Sequence, residues 1–449
     1  MEALSHLCES IKNSQFTRLL VVAGLILILL IPTAMLQDLI NERQSLREEA
    51  ISSITSKWGR SQNIVGPWLV VPYVKRVQVD KTVRTEVKSG VFLPEALKID
   101  GNLESETRYR GIFEVPVYRT ALTLSGQFQR PDLSDWGVRP EDILWNRAEL
   151  NLQVSDAHAI QSQTQLAWNQ KRIDFAPGQG KLGSNNNGGN SPGIHALLKG
   201  QMEGDRFVFN IPLKLQGSER IAFAPYGKET VATLKSNWRD PSFQGMWLPS
   251  KREVTGSGFA ATWTIPSLGR NYAQQWNSES PVSPETINAS IFGVDLISPI
   301  DRYRLAQRSV KYNFLFLILA FATFWLFEVT VQLRIHPLQY LLVGVAMSLF
   351  YLLQLALSEH LPFAIAYGIS TLSVVVLISA YSVAVLRAKQ RAGIIGAMQF
   401  ALYGYLYFVL VNQDYSLLIG SLGLFGFLSI VMYLTRRIDW STGNRSATP

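Results

Sequence analysis

The sequence predicts an α-helical polytopic membrane bundle of six transmembrane helices, with a large β-rich extracytoplasmic domain inserted between the first helix and the second. Three observations carry this. Five long apolar stretches crowd the last third of the 449 residues, and a sixth stands alone near the start. The roughly 275 mostly polar residues between them alternate like strands and are broken by turn residues.

Residues 1–18 are expected to be a cytoplasmic N-terminal segment. The stretch 19–36 has no charged residue, and at about 1.5 Å per residue it crosses most of a hydrocarbon core of about 30 Å. A cleaved signal peptide would also begin with positive and then apolar residues. This stretch exceeds the usual apolar core of about 7–15 residues, however, and Pro32-Thr33-Ala34-Met35 offers no small-x-small cleavage site. It is therefore read as an uncleaved signal anchor. Beyond it, Leu39, Ile40, Leu46, Ala50 and Ile54 recur at helical spacing among charges, so the helix is expected to continue as an amphipathic stalk.

Residues 37–312 form the expected outer domain. Strand candidates are 68–79, rich in Val and Tyr; 108–128, with Phe113, Val115, Val117, Tyr118, Leu122 and Leu124; 207–215, which alternates strictly; and 259–265. Antiparallel sheets packed as a sandwich would bury these residues. Residues 178–193 turn into Gly, Ser and Asn, the composition of a flexible surface loop. The tripeptides Phe92-Leu93-Pro94 and Trp247-Leu248-Pro249 are too short a likeness to mark a duplicated half, and no fixed period accompanies them.

The bundle spans 313–434, with apolar runs at 313–333, 338–357, 361–386, 394–411 and 416–434 and a cytoplasmic tail at 435–449. Orientation follows from basic residues, which stay on the cytoplasmic side of short connections. Lys12, Arg18, Arg334, Arg387, Lys389, Arg391, Arg436, Arg437 and Arg445 all fall inside if the first helix enters from the cytoplasm. The two outer turns, 358–360 and 412–414, hold no Lys or Arg. Both termini are thus expected in the cytoplasm and residues 37–312 outside it.

Composition excludes several function classes. The net charge of +8 arises from 42 Lys and Arg against 34 Asp and Glu, spread along the chain without a dense basic run interleaved with aromatics, so nucleic acid is not an expected partner. The one cysteine, Cys8, lies on the cytoplasmic side, so the outer domain has neither a disulfide nor a thiol nucleophile. No G-x-x-x-x-G-K-[S/T], H-E-x-x-H, S-x-x-K or well-placed G-x-S-x-G occurs. His158 and His195, the outer domain's two histidines, have no close-spaced ligand pair for zinc. The expectation is a protein without catalytic residues, metal or cofactor.

Within the bundle, Glu328 is the ionisable residue that membrane energetics singles out, because a carboxylate in an apolar helix is costly unless paired, protonated or wet. It could exchange a proton or bind a cation, or it could reach the interface beside Gln332 or Arg334. Glu359 and His360 occupy an outer turn and are expected to be solvated. His336-Pro337 reads as a helix start. Gly393 with Gly396, and Gly420 with Gly423 and Gly426, place small residues on one face, suited to close helix packing or to a lipid-accessible groove.

The chain resembles the CreD family of bacterial inner-membrane proteins over nearly its whole length. The resemblance rests on Gly66-Pro67 through Val71-Pro72, Phe92-Leu93-Pro94-Glu95, Ser236-Asn237-Trp238 with Pro241-Ser242-Phe243, Lys251-Arg252-Glu253-Val254 and Gly258-Phe259. In the membrane part it rests on Phe327-Glu328, His336-Pro337, Gln339 through Gly344, Phe350-Tyr351-Leu352, Leu357 through His360, and Thr435 through Trp440. The resemblance implies a role in cell-envelope integrity, expression under a two-component system, and tolerance of colicins and β-lactams. It implies no reaction and brings no catalytic residues. The expected mode of action is binding of an envelope lipid, a cell-wall component or a partner protein by the outer domain through residues 236–254, where Trp238, Arg252 and Glu253 are the candidate contacts. The alternative is a proton- or ion-coupled transporter or lipid-moving protein that uses Glu328. Membrane lipids surround it in either case.

Overall fold

A computed structural model describes residues 15–79, 82–180, 192–296, 302–331, 335–386, 388–412 and 414–436. The expected loop tip at 181–191 and the terminal segments 1–14 and 437–449, with Lys12, Arg437 and Arg445, lie outside the described residues, as does Arg387. The chain divides into two compact units, Glu48–Pro299 and the combination of Met1–Arg47 with Ile300–Pro449.

A single helix, α1 (Gln15–Trp58), contains the apolar stretch and runs on without a break through the charged stalk. The helical spacing seen in the sequence is therefore realised as far as Trp58, where the guanidinium groups of Arg108 and Arg119 lie 3.8 and 4.8 Å from the ring centre and the indole donates to the Tyr118 carbonyl at 3.3 Å.

The unit Glu48–Pro299 is built on strands β1 (Gln62–Val79), β2 (Thr82–Phe92), β3 (Ala96–Arg110), β4 (Phe113–Gln129), β5 (Glu149–Val154), β6 (Gln165–Trp168), β7 (Lys171–Asp174), β8 (Ala176–Pro177) and β9 (Gly193–Leu197), followed by β10 (Arg206–Ser218), β11 (Arg220–Phe223), β12 (Glu229–Ser236), β13 (Pro241–Gly245), β14 (Lys251–Thr255), β15 (Gly258–Pro266), β16 (Gln275–Asn277) and β17 (Phe292–Leu296). One sheet runs β13-β17-β11-β1-β5-β9-β8, with β2 and β16 attached through β1; the other runs β14-β15-β12-β3-β4-β10-β6-β7. A short helix, α2 (Pro284–Ala289), precedes β17, and the Ser283 side chain caps it.

Two expectations are corrected by this topology. The candidate 108–128 is two strands: β3 ends at Arg110 and β4 begins at Phe113, with Gly111 at φ 60° supplying the left-handed turn that most other residues resist. The sheets also hold two parallel pairings, β1 with β11 and β3 with β12. Parallel neighbours need a long crossover, and these two join the early strands to the late ones across more than a hundred residues. The sequence also yielded no strand after 265, whereas β17 is central enough to pair with both β11 and β13.

The inner faces of the two sheets share one apolar core. The alternation predicted at 207–215 is visible in β10, where Phe207, Phe209, Ile211, Leu213 and Leu215 are buried and the residues between them exposed. Aromatic rings hold the sheet-to-sheet contact: Trp263 of β15 meets Phe292 of β17 at 5.6 Å and Phe243 of β13 at 5.8 Å.

The other unit adds helices α3 (Arg302–Lys311), α4 (Asn313–Val331), α5 (Pro337–Ser358), α6 (Phe363–Leu386), α7 (Lys389–Val411) and α8 (Ser416–Thr435). Five helices among the described residues are long and apolar enough to cross a membrane: α1, α5, α6, α7 and α8. α4 is apolar over a shorter described stretch, Asn313–Trp325. Polar pairs and small residues hold the helices together, as expected where apolar burial alone gives no preference over lipid. Ser309 of α3 donates to Gln354 Oε1 of α5 at 3.0 Å, and Asn313 Nδ2 of α4 donates to Thr33 of α1 at 2.6 Å. Gly344 of α5 faces Leu29 of α1, which a β-carbon there would strike. At the start of α5, His336 accepts from the Leu338 N–H and Gln339 reaches back to the His336 N–H, so His336-Pro337 is a capped helix start.

Candidate functional site

The candidate residues fall in separate places. Three belong to the segment between Ser236 and Thr255, which makes a double turn at one end of the sandwich. The chain leaves β12 at Ser236, forms β13 as the edge of the nine-stranded sheet, crosses a short loop, and returns as β14, the edge of the eight-stranded sheet. Asn237 shapes the first bend by pairing with both the N–H and the carbonyl of Ser105, at 2.8 and 3.0 Å. Trp238 is part of this framework: its N–H donates to Ser236 Oγ, its indole N–H donates to the Asp240 carbonyl at 3.1 Å, and its ring packs against the core.

The edge itself is open. All five residues of β14 are exposed, Arg252 and Glu253 among them. Leu248 in the loop is 70% exposed and Met246 56%. Leu268, beside the glycine whose missing side chain makes room for the Trp247 ring, is 96% exposed. A single apolar residue on a surface is ordinary; here three stand on loops next to a strand with one open edge. The backbone beneath them is held by the Trp263 indole, which donates to the Trp247 carbonyl at 3.1 Å.

Sequence reasoning missed a buried cluster that begins two residues after Leu268. Arg270 is 7% exposed and donates to the carbonyls of Pro225, Tyr226 and Gly227 at 2.8, 2.8 and 3.3 Å, and to Gln274 Oε1. Its guanidinium lies 4.8 Å from the Tyr272 ring centre. Gln274 in turn donates to the carbonyls of Leu93 and Pro94. Burial lowers the Arg270 guanidinium from its ordinary value and raises the Tyr226 and Tyr272 hydroxyls above theirs. An arginine 43 residues or more from the carbonyls it binds has no local signal for those contacts in a sequence.

The other candidates lie in the helical unit. Glu328 on α4 is 6% exposed, and the Tyr340 hydroxyl of α5 donates to its Oε2 at 3.0 Å. Tyr340 is itself held edge-on to Phe321 and Phe324. The partners expected from the sequence, Gln332 and Arg334, lie outside the described residues. Glu359 follows the other end of α5, nineteen residues beyond Tyr340 and hence about 28 Å along the helix. Glu328 and Glu359 therefore form no common site. Glu359 was expected to be solvated, but its side chain is 14% exposed, with Arg43 at 3.7 Å and the Tyr303 hydroxyl at 3.5 Å. Burial and that neighbouring carboxylate push the Tyr303 hydroxyl up to about 12. His360 is exposed, as expected of a turn residue. Among the described residues no three His, Cys, Asp or Glu side chains gather as a metal site would require.

The family model described as inner membrane protein CreD matches residues 14–441. Inner membrane protein CreD of Escherichia coli (strain K12) is 32% identical over 435 residues, covering 96% of this chain and 94% of that protein. Among solved structures, an M1 zinc metallopeptidase from Deinococcus radiodurans aligns with 38% of this chain and 39% of its own, at 8% identity and a TM-score of 0.18, too slight a likeness to indicate a common fold.

Proposed function

The chain belongs to the CreD family of inner membrane proteins, and from that premise we propose that it supports envelope integrity by binding, without catalysis, through a β domain exposed to the periplasm. In this reading α4 is a sixth span, both termini are cytoplasmic, and the helices hold the domain at the membrane. The basic residues of the short connections support that orientation. One observation carries the binding assignment: a single segment supplies the edge strands of both sheets and presents Leu248 and Met246 between them. Unpaired edges invite an added strand. The charges of Lys251, Arg252 and Glu253 guard this one against self-pairing while leaving its backbone open to an extended segment of an envelope protein. An envelope lipid or cell-wall component is the alternative ligand for the same surface.

The test is rescue of an envelope-stress phenotype, including β-lactam and colicin tolerance, in a strain lacking the protein. Leu248→Asp combined with Leu268→Asp touches exposed positions, so abundance and export should match wild type while rescue is lost. Normal rescue by that exported variant would remove the surface from the function.

A second reading, ion-coupled transport or lipid movement, is favoured by the burial of Glu328 and its bond from Tyr340. The two readings separate on one change. Glu328→Gln retains an oxygen that can accept from Tyr340 but removes the exchangeable proton. Under the binding reading the variant stays abundant and rescues fully. Loss of rescue at normal abundance would transfer the function to the helices.

A further inference from the structure

The charge of α3 lies on one face. Arg304, Arg308 and Lys311 recur at i, i+4 and i+7, within about 60° of one another around the helix axis. The opposite face, formed by Tyr303, Ala306, Ser309 and Val310, is buried.

The contacts of α3 set its level against the helices beside it. The Tyr303 hydroxyl lies 3.5 Å from Glu359, the residue that follows α5, and Ser309 donates to Gln354 Oε1, four residues before α5 ends. Arg308 donates to the Leu410 carbonyl at 3.4 Å, one residue short of the end of α7. The cations therefore stand where the apolar helices stop, the level of lipid headgroups. Phe314, three residues past Lys311 in α4, is 46% exposed, so lipid-facing apolar surface begins beside them.

Little of the protein answers the inner two charges. The Leu410 carbonyl is the one hydrogen-bond partner of the Arg308 side chain among the described residues, the Lys311 side chain has none, and neither forms an ion pair with a carboxylate there. Glu359 at this end already faces Arg43, and Asp414, in the turn after α7, is exposed and pairs with neither cation. A cation facing lipid is costly unless it reaches water or an anion, and like charges one helical turn apart repel. Water would satisfy each cation separately, as it does a snorkelling lysine, but would leave the repulsion. One phosphate between them removes both costs, with Arg308 offering a fork of N–H donors and Lys311 a point charge.

We propose that Arg308 and Lys311, with Arg304 one turn further out, bind the phosphate of an anionic phospholipid headgroup whose acyl chains pass Phe314. The assignment is independent of the surface around Leu248 and of Glu328, and it holds for either orientation of the helices.

Native mass spectrometry of the full-length protein tests it, by titration in detergent with phosphatidylglycerol and, separately, with phosphatidylcholine carrying the same chains. At low ionic strength the first phosphatidylglycerol should bind about 25-fold more tightly than the first phosphatidylcholine, about fivefold for each of two cations beside an anionic lipid, and the ratio should shrink as salt is raised. Lys311→Gln alters an exposed side chain that bonds to nothing, so it should leave the fold intact and lower the ratio about fivefold. Adding Arg308→Gln should bring the ratio close to one, whereas Arg308→Lys, which keeps the charge, should retain most of it. Lys389→Gln with Arg391→Gln, at the other end of α7, should leave it unchanged. A wild-type ratio near one, a ratio that Lys311→Gln does not lower, an equal loss in the Lys389 and Arg391 pair, or displacement of the bound lipid by millimolar inorganic phosphate, which would assign a soluble anion, would each overturn the proposal. The wild-type comparison requires no variant to fold.

Discussion

Trp263→Ala will destabilise the β domain by about 3–5 kcal/mol, the cost of removing a large aromatic side chain from a closed core. Trp263 has no exposed surface. Its ring joins the sheets through Phe243 and Phe292, and its indole N–H satisfies the Trp247 carbonyl. Truncation would leave a cavity between the sheets and free the backbone that carries Met246 and Leu248, so the contact surface should loosen before the domain unfolds. The measurement is the urea midpoint of the purified full-length protein followed by tryptophan fluorescence. Nine of the eleven tryptophans lie between Trp58 and Trp276, so the signal reports this domain. Val254→Ala, at an exposed edge position, should shift the midpoint by no more than about 0.5 kcal/mol. If Trp263→Ala cost no more than that control, the rings would not be what holds the two sheets together.

The readable part of this protein was the part with local physics. Apolar length marked the helices, the spacing of Leu39, Ile40, Leu46, Ala50 and Ile54 marked the continuation of α1, and strict alternation marked β10, because each pattern repeats within a few residues. The turn at Gly111 was missed because Phe113 to Phe128 and the residues before it share the same β-like composition, and a glycine at left-handed φ is not distinguishable in sequence from one in a strand. The parallel pairings were illegible for a different reason: β1 meets β11 and β3 meets β12 only after the intervening chain has folded. Among the candidate residues, burial of Glu328 follows from its apolar neighbours in sequence, yet its partner Tyr340 does not, since the two lie on different helices. Trp238 was drawn in by its place in a family segment, and the structure shows its indole spent on the turn that it stabilises.

Arg270→Met is the second change with a large expected effect, because it separates charge from bulk. Methionine can replace the apolar stem, but it cannot donate. The Pro225, Tyr226 and Gly227 carbonyls would lose their shared partner, and Gln274, which ties the Leu93 and Pro94 carbonyls to the same cluster, would lose its support. Stranding even two buried acceptors, at about 1–3 kcal/mol each, predicts a loss of about 2–6 kcal/mol. Lysine should recover part of that loss, since it retains the charge and can satisfy some carbonyls, though not with the planar fork of arginine. The order wild type, Arg270→Lys, Arg270→Met in urea midpoint would establish that hydrogen bonding holds the cluster. Equal midpoints for the Lys and Met variants would assign its contribution to packing against Tyr272 instead. The outcome bears on function because Arg270 lies two residues from Leu268, the most exposed apolar residue beside the open edge. The proposed contact surface needs a rigid base, and a buried cation gripping three carbonyls provides one.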